Sequence, residues 1–175
     1  MDAKDLPRSL AGCEAGKAWP ALSLKSAVEQ LCAPGRLFEL DTVEVRGIPT
    51  RVWKNQPPTL AALARHVRAA YAANEFIVYE GDRISYEGWF RAIAALARAL
   101  QQASVAKGDR VAIAMRNLPE WPVAVVAITS IGAIAVPLNA WWQSEELHHG
   151  LADSGASLLI CDDQRYQCVA PMLDR

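Results

Sequence analysis

One predicted helix carries residue types that bind metal ions. Glu145 precedes His148 by three residues, and Glu146 precedes His149 by three, which is the spacing that places two ligands on one helical face. A di-metal bundle needs such a pair from two helices, and only this helix offers it. Adjacent histidines also point about 100° apart around the helix axis. The spacing therefore predicts polar residues on a solvated helix face rather than a metal site.

A pair of tryptophans follows a predicted strand. Trp141 and Trp142 come directly after an apolar run, and ligands of open α/β sheets bind beyond the carboxyl ends of the strands. The two indoles could line an apolar pocket there, or they could pack against another part of the chain. Packing is the favoured interpretation. His66, which has Arg65 and Arg68 beside it, is expected on the surface.

Motifs for phosphate binding and nucleophilic catalysis are absent from the sequence. The loop at residues 115–120, MRNLPE, contains no glycine and ends on a carboxylate, whereas a phosphate-binding βαβ loop uses glycines to bring backbone N–H groups close. The sequence contains neither a G-x-S-x-G elbow nor a G-x-x-x-x-G-K-[ST] loop. We therefore assign no catalytic residue, no cofactor-binding residue and no metal ligand to this chain.

The sequence pattern predicts secondary structure most clearly between residues 107 and 139. An apolar run at 111–115 predicts a strand covered on both faces. Asn117 is a candidate N-cap, with Pro119 in the first helical turn and Glu120 three residues after the cap. Gly132 ends this helix, and residues 134–138 predict a second buried strand. The segment is one βαβ unit.

Two helices precede this unit. Thr59 is the predicted cap of a helix whose apolar residues lie on one face, with Arg65 and Arg68 facing away. Ser85 is the predicted cap of the next helix, whose apolar stripe should lie in the core. The two apolar sets are Leu60, Leu63, Val67 and Tyr71 in the first helix, and Trp89, Ile93, Leu96 and Leu100 in the second.

The remaining pattern predicts the fold class. Ser144 begins a helix that closes at Gly155, residues 158–161 form a third parallel strand, and a further helix follows from Gln164. We predict an α/β fold of three layers, with a mainly parallel sheet, helical crossovers and β-hairpins before it. The hairpins lie at 38–53 and 76–86, and a short helix lies at 24–31. We expect two domains, an N-terminal arm at 1–57 and an α/β subdomain at 58–175.

Composition limits the partners and the location. The 175 residues are 52% apolar, have a formal net charge of −1 and contain no long run of one sign, which argues against nucleic acid as a partner. The four cysteines, Cys13, Cys32, Cys161 and Cys168, have no C-x-x-C spacing and fit reduced thiols. The N-terminus lacks the apolar region of a signal peptide. A cytoplasmic location is expected.

One uncharged segment is long enough to span a membrane as a helix. The 24 residues between Glu120 and Glu145 carry no charge, but Pro122, Gly132 and Pro137 interrupt the run, so no transmembrane segment is predicted. The helix at 119–131 is apolar around its whole circumference and needs cover on every side. We expect the sheet to cover one face and residues outside this chain to cover the rest, so that the isolated chain self-associates.

Five short segments stand out by their order and spacing. They are RISY at 83–86, KGDRVAI at 107–113, Asn117 with Glu120, GA at 132–133 leading to PLN at 137–139, and LADSGA at 151–156. Together they resemble the N-terminal region of AMP-forming acyl-CoA synthetases, in the adenylate-forming superfamily. The likeness runs from about residue 51 to residue 161. Three further segments, 51–55, 115–121 and 139–142, look most like the fatty-acid branch, the long-chain fatty-acid–CoA ligases.

The resemblance implies that the family's enzymes are ligases that act in two steps. It also implies that this sequence holds only part of such an enzyme. In the family, ATP and a carboxylic acid give an acyl-adenylate and pyrophosphate with Mg²⁺, and the CoA thiol then displaces AMP. The family's phosphate loop, nucleotide contacts, metal-binding glutamate and C-terminal lysine have no counterpart in this sequence. The fragment alone is expected to be inactive and to bind no cofactor.

The expected partners of the fragment are the remainder of the ligase chain, a carboxylic acid substrate and a second copy in a homodimer. The alternative is a stand-alone α/β module that binds a ligand or partner without ligase activity.

Overall fold

The structure is a computed structural model that describes residues 22–173. The chain divides into two compact units, Met1–Pro57 and Pro58–Arg175. Cys13 and the far N-terminus, on which the signal-peptide prediction rests, lie outside the described residues.

The first unit contains one short helix and one hairpin. Helix α1 spans Leu24–Leu31, as predicted, and Ser23 caps it by accepting the Ser26 N–H. Strands β1 (Leu40–Val45) and β2 (Ile48–Trp53) pair antiparallel around Arg46 and Gly47. Both turn residues have positive φ, 51° and 80°, as the tightest hairpin turns require. No residue in 22–57 is fully buried.

The second unit begins with two helices and a second hairpin. Helix α2 spans Leu60–Tyr71, strands β3 (Glu75–Tyr79) and β4 (Asp82–Ser85) pair antiparallel, and helix α3 spans Tyr86–Gln102. The hydroxyls of Thr59 and Ser85 accept the N–H groups of Ala62 and Gly88, which confirms both predicted caps. The predicted stripe on α3 is in the core, where Trp89, Ile93 and Leu100 are buried and Leu96 packs against them.

The predicted orientation of α2 is wrong in part. Its buried residue is Ala64, whereas Leu60 and Leu63 are exposed. Arg68, expected to face away, turns toward α3, where its Nε lies 2.5 Å from a carboxylate oxygen of Glu87 and its guanidinium lies 4.6 Å from the ring centre of Phe90. The ion pair and the aromatic ring together attract the arginine to α3, and helical periodicity does not contain that information.

Three parallel strands form the sheet, as predicted. Strands β5 (Arg110–Ala114), β6 (Ile134–Pro137) and β7 (Leu158–Cys161) lie in the order β6-β5-β7, and β5 pairs parallel with both neighbours. Helix α4 (Glu120–Ser130) connects β5 to β6. Helix α5 (Ser144–Ser154) connects β6 to β7.

Helices cover both faces of the sheet, which confirms the three-layer architecture. On one face Val111 and Ile113 of β5 pack with α4 and α3. On the other face Ala114 packs with Leu147 of α5 and Val169 of helix α6, which spans Asp163–Leu173. Residues 111–114 have no exposed surface at all, so β5 is the centre of the core.

The expectation that α4 leaves an open face is wrong. Every residue of 121–131 is buried or partly buried. Helices α2 and α3 pack on the side of α4 that the sheet does not cover. Both helices were predicted from the sequence, but their contact with α4 was not, because tens of residues separate them from α4 along the chain.

The described cysteines, Cys32, Cys161 and Cys168, are free thiols, in agreement with the prediction. Burial raises the pKa of the Cys161 thiol, and the charges of Asp162 and Asp163 add to the effect. In the described part of the chain, no helix combines the length and the hydropathy that crossing a bilayer requires.

Candidate functional site

The carboxyl ends of β5, β6 and β7 meet at one edge of the sheet, where α/β proteins bind ligands. Residues 115–119, 138–143 and 162–165 form this edge. The chain leaves β5 toward one face of the sheet and leaves β7 toward the other, because α4 and α6 lie on opposite faces. A crevice between adjacent strands is expected where the direction of departure changes.

Asp162 occupies that position. Its Oδ2 accepts the backbone N–H of Arg116 at 3.0 Å, and its Oδ1 accepts the backbone N–H of Arg165 at 2.8 Å. One carboxylate therefore connects the end of β5 to the first turn of α6. Burial acts to raise the pKa of Asp162, but the two backbone donors and the charges of Arg165 and Arg116 outweigh burial, so its pKa lies below the usual range.

Arg165 holds the loop that follows β6. Its guanidinium donates to the carbonyl oxygen of Ala140, and a second contact of 3.5 Å reaches the carbonyl oxygen of Trp142. The Nε of Arg165 is buried with no hydrogen-bond partner among the described residues. Asn139 supports the same loop, since its Oδ1 accepts the Trp141 N–H at 2.9 Å.

The two tryptophans have different environments. Trp142 packs into the smaller core cluster beside Leu138, and a Cβ added to Gly150 of α5 would lie 2.7 Å from its ring. Trp141 is 75% exposed. The favoured interpretation, packing, therefore holds for Trp142, while the two indoles do not form one pocket wall.

The loop after β5 also differs from its prediction. Asn117 is exposed and does not cap α4. The helix begins at Glu120 with Pro119 in the cap position and no side-chain cap. A tight turn, in which Leu118 N–H donates to Arg116 O at 2.7 Å, displaces the helix start by two residues. Beside this turn lies a shallow apolar groove of about 260 Å³ between Ile77–Tyr79 and residues 117–122.

The residues with metal-ligand spacing lie on the surface. Glu145, Glu146, His148 and His149 are exposed on α5, and His66 is exposed on α2. Glu146 completes a capping box, because its carboxylate accepts the backbone N–H of Gln143 at 2.9 Å. Within the described range, no three histidine, cysteine or acidic side chains come close enough to hold a metal ion.

The sequence interpretation missed the roles of Asp162 and Arg165. An aspartate between a strand and a helix is an N-cap signal, and it was available at residue 162. Its second partner, the Arg116 N–H, is 46 residues away, so only the folded sheet brings the two together. Both oxygens of the Asp162 carboxylate are thus already hydrogen-bonded within the fold.

Comparison with known proteins places this arrangement in a family. A family model described as AMP-binding enzyme matches residues 63–174, which include all three parallel strands. The chain belongs to the AMP-binding enzyme family. This membership confirms the resemblance noted in the sequence, and it fits the order of strands and crossover helices in the second unit.

Two named members of this family are similar to the chain in sequence. The long-chain-fatty-acid–CoA ligase of Salmonella typhimurium is 34% identical over 114 residues, which cover 65% of this chain and 20% of the relative. The feruloyl-CoA synthase of an Amycolatopsis species is 40% identical over 92 residues, covering 53% of this chain and 19% of the relative. The chain therefore spans about a fifth of the length of these AMP-binding relatives.

A solved structure supports the fold. The N-terminal domain of FACL13 from Mycobacterium tuberculosis aligns with a TM-score of 0.64 and 24% identity, over 67% of this chain and 30% of that domain's chain. At this identity the likeness concerns the fold alone. It agrees with the predicted class, the N-terminal part of an adenylate-forming enzyme fold.

Proposed function

We propose that this chain is the N-terminal portion of an ATP-dependent acyl-CoA synthetase. The observation that carries the proposal is the family match over residues 63–174, which coincides with the three-layer unit that forms the core. The relatives' names, a fatty-acid–CoA ligase and a feruloyl-CoA synthase, support acid–thiol ligation as the reaction class. Coverage of about a fifth of their length supports a portion rather than the whole enzyme.

The proposed reaction has two steps. A carboxylate oxygen of the acid attacks the α-phosphorus of ATP, and pyrophosphate leaves, with Mg²⁺ offsetting the phosphate charge. The CoA thiol then attacks the acyl carbon, AMP leaves, and the thiol proton is lost to solvent or base. Adenylation is useful because AMP is a far better leaving group than the oxygen of a free carboxylate. We propose that ATP, Mg²⁺ and CoA bind to residues of a longer chain.

A fatty acid is the proposed substrate. The similarity to the Salmonella ligase supports this choice, as does the resemblance of residues 51–55, 115–121 and 139–142 to the fatty-acid branch. The Amycolatopsis relative makes an aromatic acid the competing class. A panel of saturated fatty acids and ferulic acid, offered to the longer gene product, tests the choice through acid-dependent release of pyrophosphate. Stronger turnover of ferulate than of every fatty acid would refute it.

The role proposed for residues 1–175 is structural. The carboxylate of Asp162 accepts two backbone N–H groups and the guanidinium of Arg165 donates to the loop after β6, so both side chains hold the ends of the strands together. We expect the purified chain to show no exchange of labelled pyrophosphate into ATP with any fatty acid. The longer gene product should show acid-dependent exchange. Exchange by residues 1–175 that scales with protein concentration would contradict the assignment.

One observation favours the second candidate, a stand-alone binding module. The fully buried side chains of the described chain all lie between Ala64 and Val169, and α4 is covered by the chain's own helices, so this core can be complete without further sequence. The mass of the endogenous protein separates the two candidates. A cellular product of about 19 kDa would favour the module, because 19.1 kDa is the mass of this chain alone.

We also propose a cytoplasmic location and a homodimer. The free thiols of Cys32, Cys161 and Cys168 support a reducing compartment. Exposed apolar side chains on α1 and the first hairpin support contact with a second copy. Fractionation of cells and light scattering of the purified longer protein test these two points.

A further inference from the structure

One exposed indole lies at the carboxyl edge of the parallel sheet. Trp141 follows strand β6, and 75% of its surface is exposed. Ligands of open α/β sheets bind beyond this edge. The next residue, Trp142, packs into the smaller core cluster instead. Packing in the core therefore accounts for one of the two tryptophans and leaves the exposure of the other unexplained.

The backbone on both sides of Trp141 is fixed by hydrogen bonds. Its own N–H donates to the side-chain oxygen of Asn139 at 2.9 Å, and the N–H of the following residue donates to the backbone oxygen of Asn139 at 3.2 Å. The guanidinium of Arg165 donates to the carbonyl oxygen of the preceding residue. The side-chain amide of Gln143 lies 3.5 Å from the carbonyl oxygen of Trp141. All four polar atoms of the two peptide groups that flank Trp141 thus have partners.

Arg165 holds this loop from a different element. It lies in α6, and the carboxylate of Asp162 accepts its backbone N–H at 2.8 Å. Its guanidinium also lies 3.5 Å from the carbonyl oxygen of Trp142. A planar guanidinium presents several donors in a fixed arrangement, so one side chain can hold two carbonyl oxygens. A loop that is fixed before a ligand arrives loses less conformational entropy when it binds that ligand.

The surroundings of Trp141 favour a planar ligand over a protein surface or an acyl chain. The other exposed residues of the loop 139–143 are Asn139 and Gln143, which are polar, and two exposed glutamates follow at 145 and 146. The core of a protein interface needs a contiguous apolar patch, and an acyl chain needs a concave apolar pocket. The apolar groove at Ile77–Tyr79 and residues 117–122 does not include Trp141. A single exposed ring, in contrast, is enough to stack on a planar base.

We propose that Trp141 stacks on the adenine ring of a substrate in the longer ligase, and that Arg165 is the positioning residue that holds the indole in place. The proposal rests on the proposed function, whose substrates are a carboxylic acid and two molecules that contain adenine, ATP and CoA. The two share the chemistry that an indole recognises, and the affinity for each is measured separately. This contact adds one binding residue to the otherwise structural role of residues 1–175.

Trp141→Ala in the longer gene product tests the stacking. Calorimetric titration with ATP and, separately, with CoA should show about a 10- to 100-fold loss of affinity for one of the two, which is the range that one base–aromatic stack provides. Trp141→Phe keeps an aromatic ring and should recover most of the loss. Trp53→Ala removes an exposed tryptophan of the first unit, so it is the matched control and should change neither affinity.

Pantetheine, which is the thiol part of CoA without its nucleotide, separates stacking from a general loss of structure. If CoA is the stacked substrate, Trp141→Ala should raise the KM for CoA and leave the KM for ATP unchanged. If ATP is the stacked substrate, the KM for ATP should rise instead. At saturating ATP, turnover with pantetheine should stay the same in both cases, because pantetheine has no adenine.

Arg165→Lys tests the positioning role. Lysine keeps the charge but lacks the planar arrangement of donors, so the same nucleotide should bind about three- to tenfold more weakly. In the Trp141→Ala background the Arg165→Lys change should cause no further loss of affinity, because the indole that it positions is absent. Losses that multiply in the double variant would overturn the positioning role.

The remaining outcomes separate the stacking from the proposed function. Unchanged affinities for ATP and CoA in the Trp141→Ala variant of a longer protein that exchanges pyrophosphate would overturn the stacking and leave the function intact. Nucleotide binding that depends on Trp141, in a longer protein that forms no thioester, would support the stacking and contradict the function. A longer protein that binds neither nucleotide would overturn both. A change in the KM for the acid alone, or an equal loss of turnover with pantetheine, would overturn the stacking.

Discussion

Asp162, at the edge of the sheet, supports the first prediction. The Asp162→Asn variant retains one acceptor oxygen and loses the charge, so it should lower the free energy of unfolding by about 1 kcal/mol at neutral pH. Urea unfolding measures the change. Asp163→Asn, at an exposed neighbouring position, is the matched control and should stay within about 0.5 kcal/mol of the parent chain. Equal losses in both variants would contradict the role of the Arg116 and Arg165 contacts.

The role of Asp162 was harder to predict from the sequence than the roles of the helix caps. Thr59 and Ser85 were predictable caps because a cap bonds to an N–H only three residues away. Asp162 was not, because one of its two donors follows another strand. Local hydrogen bonds leave a local pattern in the sequence, and bonds between distant segments do not.

The same carboxylate predicts a pH dependence. Its pKa in the folded chain lies below the unfolded value, so the folded state binds this proton less readily than the unfolded state. The stabilisation is therefore complete above the unfolded pKa and is lost as the pH falls through the folded pKa. We expect the difference in unfolding free energy between the parent and Asp162→Asn to shrink in acid. A difference that grows as the pH falls would contradict the sign.

At the scale of elements, long periodic segments were predicted well and their neighbours were not. The three parallel strands and the α3 stripe follow from period and composition. The contact of α2 and α3 with α4, and the turn of Arg68 toward Glu87, follow from packing between elements far apart in sequence. The start of α4 moved from Asn117 to Pro119 because the preceding residues form a turn of their own.

The packing of α5 on Trp142 supports a second prediction. Alanine is favoured over glycine inside a helix by about 1 kcal/mol, yet a Cβ at residue 150 would lie 2.7 Å from the indole. Gly150→Ala should therefore destabilise the chain by about 1–3 kcal/mol through overpacking. The loss should become smaller in a Trp142→Leu background, where the ring is absent. A double-mutant cycle in urea measures the coupling, and additive effects would exclude the clash.

At the scale of the whole molecule, the described parts of the two units differ in how many buried side chains stabilise them. The sixteen buried apolar residues of the described chain lie between Ala64 and Val169. Residues 22–57 contribute none, and their hairpin is held by its own ladder and by the Lys54–Glu39 ion pair at 2.8 Å. Composition predicted a single main core, and the burial pattern shows that residues 22–57 contribute no buried apolar side chain to it.

This asymmetry predicts that residues 58–175 fold alone, as the proposed division into two domains requires. The described part of this segment, residues 22–57, contains no buried side chain, so removing residues 1–57 should change the melting temperature by less than about 4 °C. Thermal unfolding followed by circular dichroism measures it, and trypsin cleavage after Lys54 should release residues 55–175, a fragment three residues longer. Loss of cooperative unfolding in 58–175 would mean that the first unit belongs to the core.

The exposed apolar side chains predict how the isolated chain behaves in solution. Eleven of the eighteen large exposed apolar residues in the described chain lie in 22–57, including Leu24, Val28 and Leu31 along one side of α1. Surfaces of this kind associate with each other or bind apolar dyes. The self-association first expected from α4 should therefore arise from the first unit instead.

Size-exclusion chromatography with light scattering, together with a dye that binds apolar surface, tests this assignment. Residues 1–175 should elute as dimers or larger species and bind the dye, and residues 58–175 should be monomeric with several-fold weaker binding. Replacing Leu24 and Val28 by Lys should shift 1–175 toward the monomer, whereas replacing Lys25 and Glu29, on the same helix, by Gln should not. If 58–175 associates as strongly as 1–175, the contact surface must lie in the second unit, where Val78, Ile134 and Trp141 are exposed.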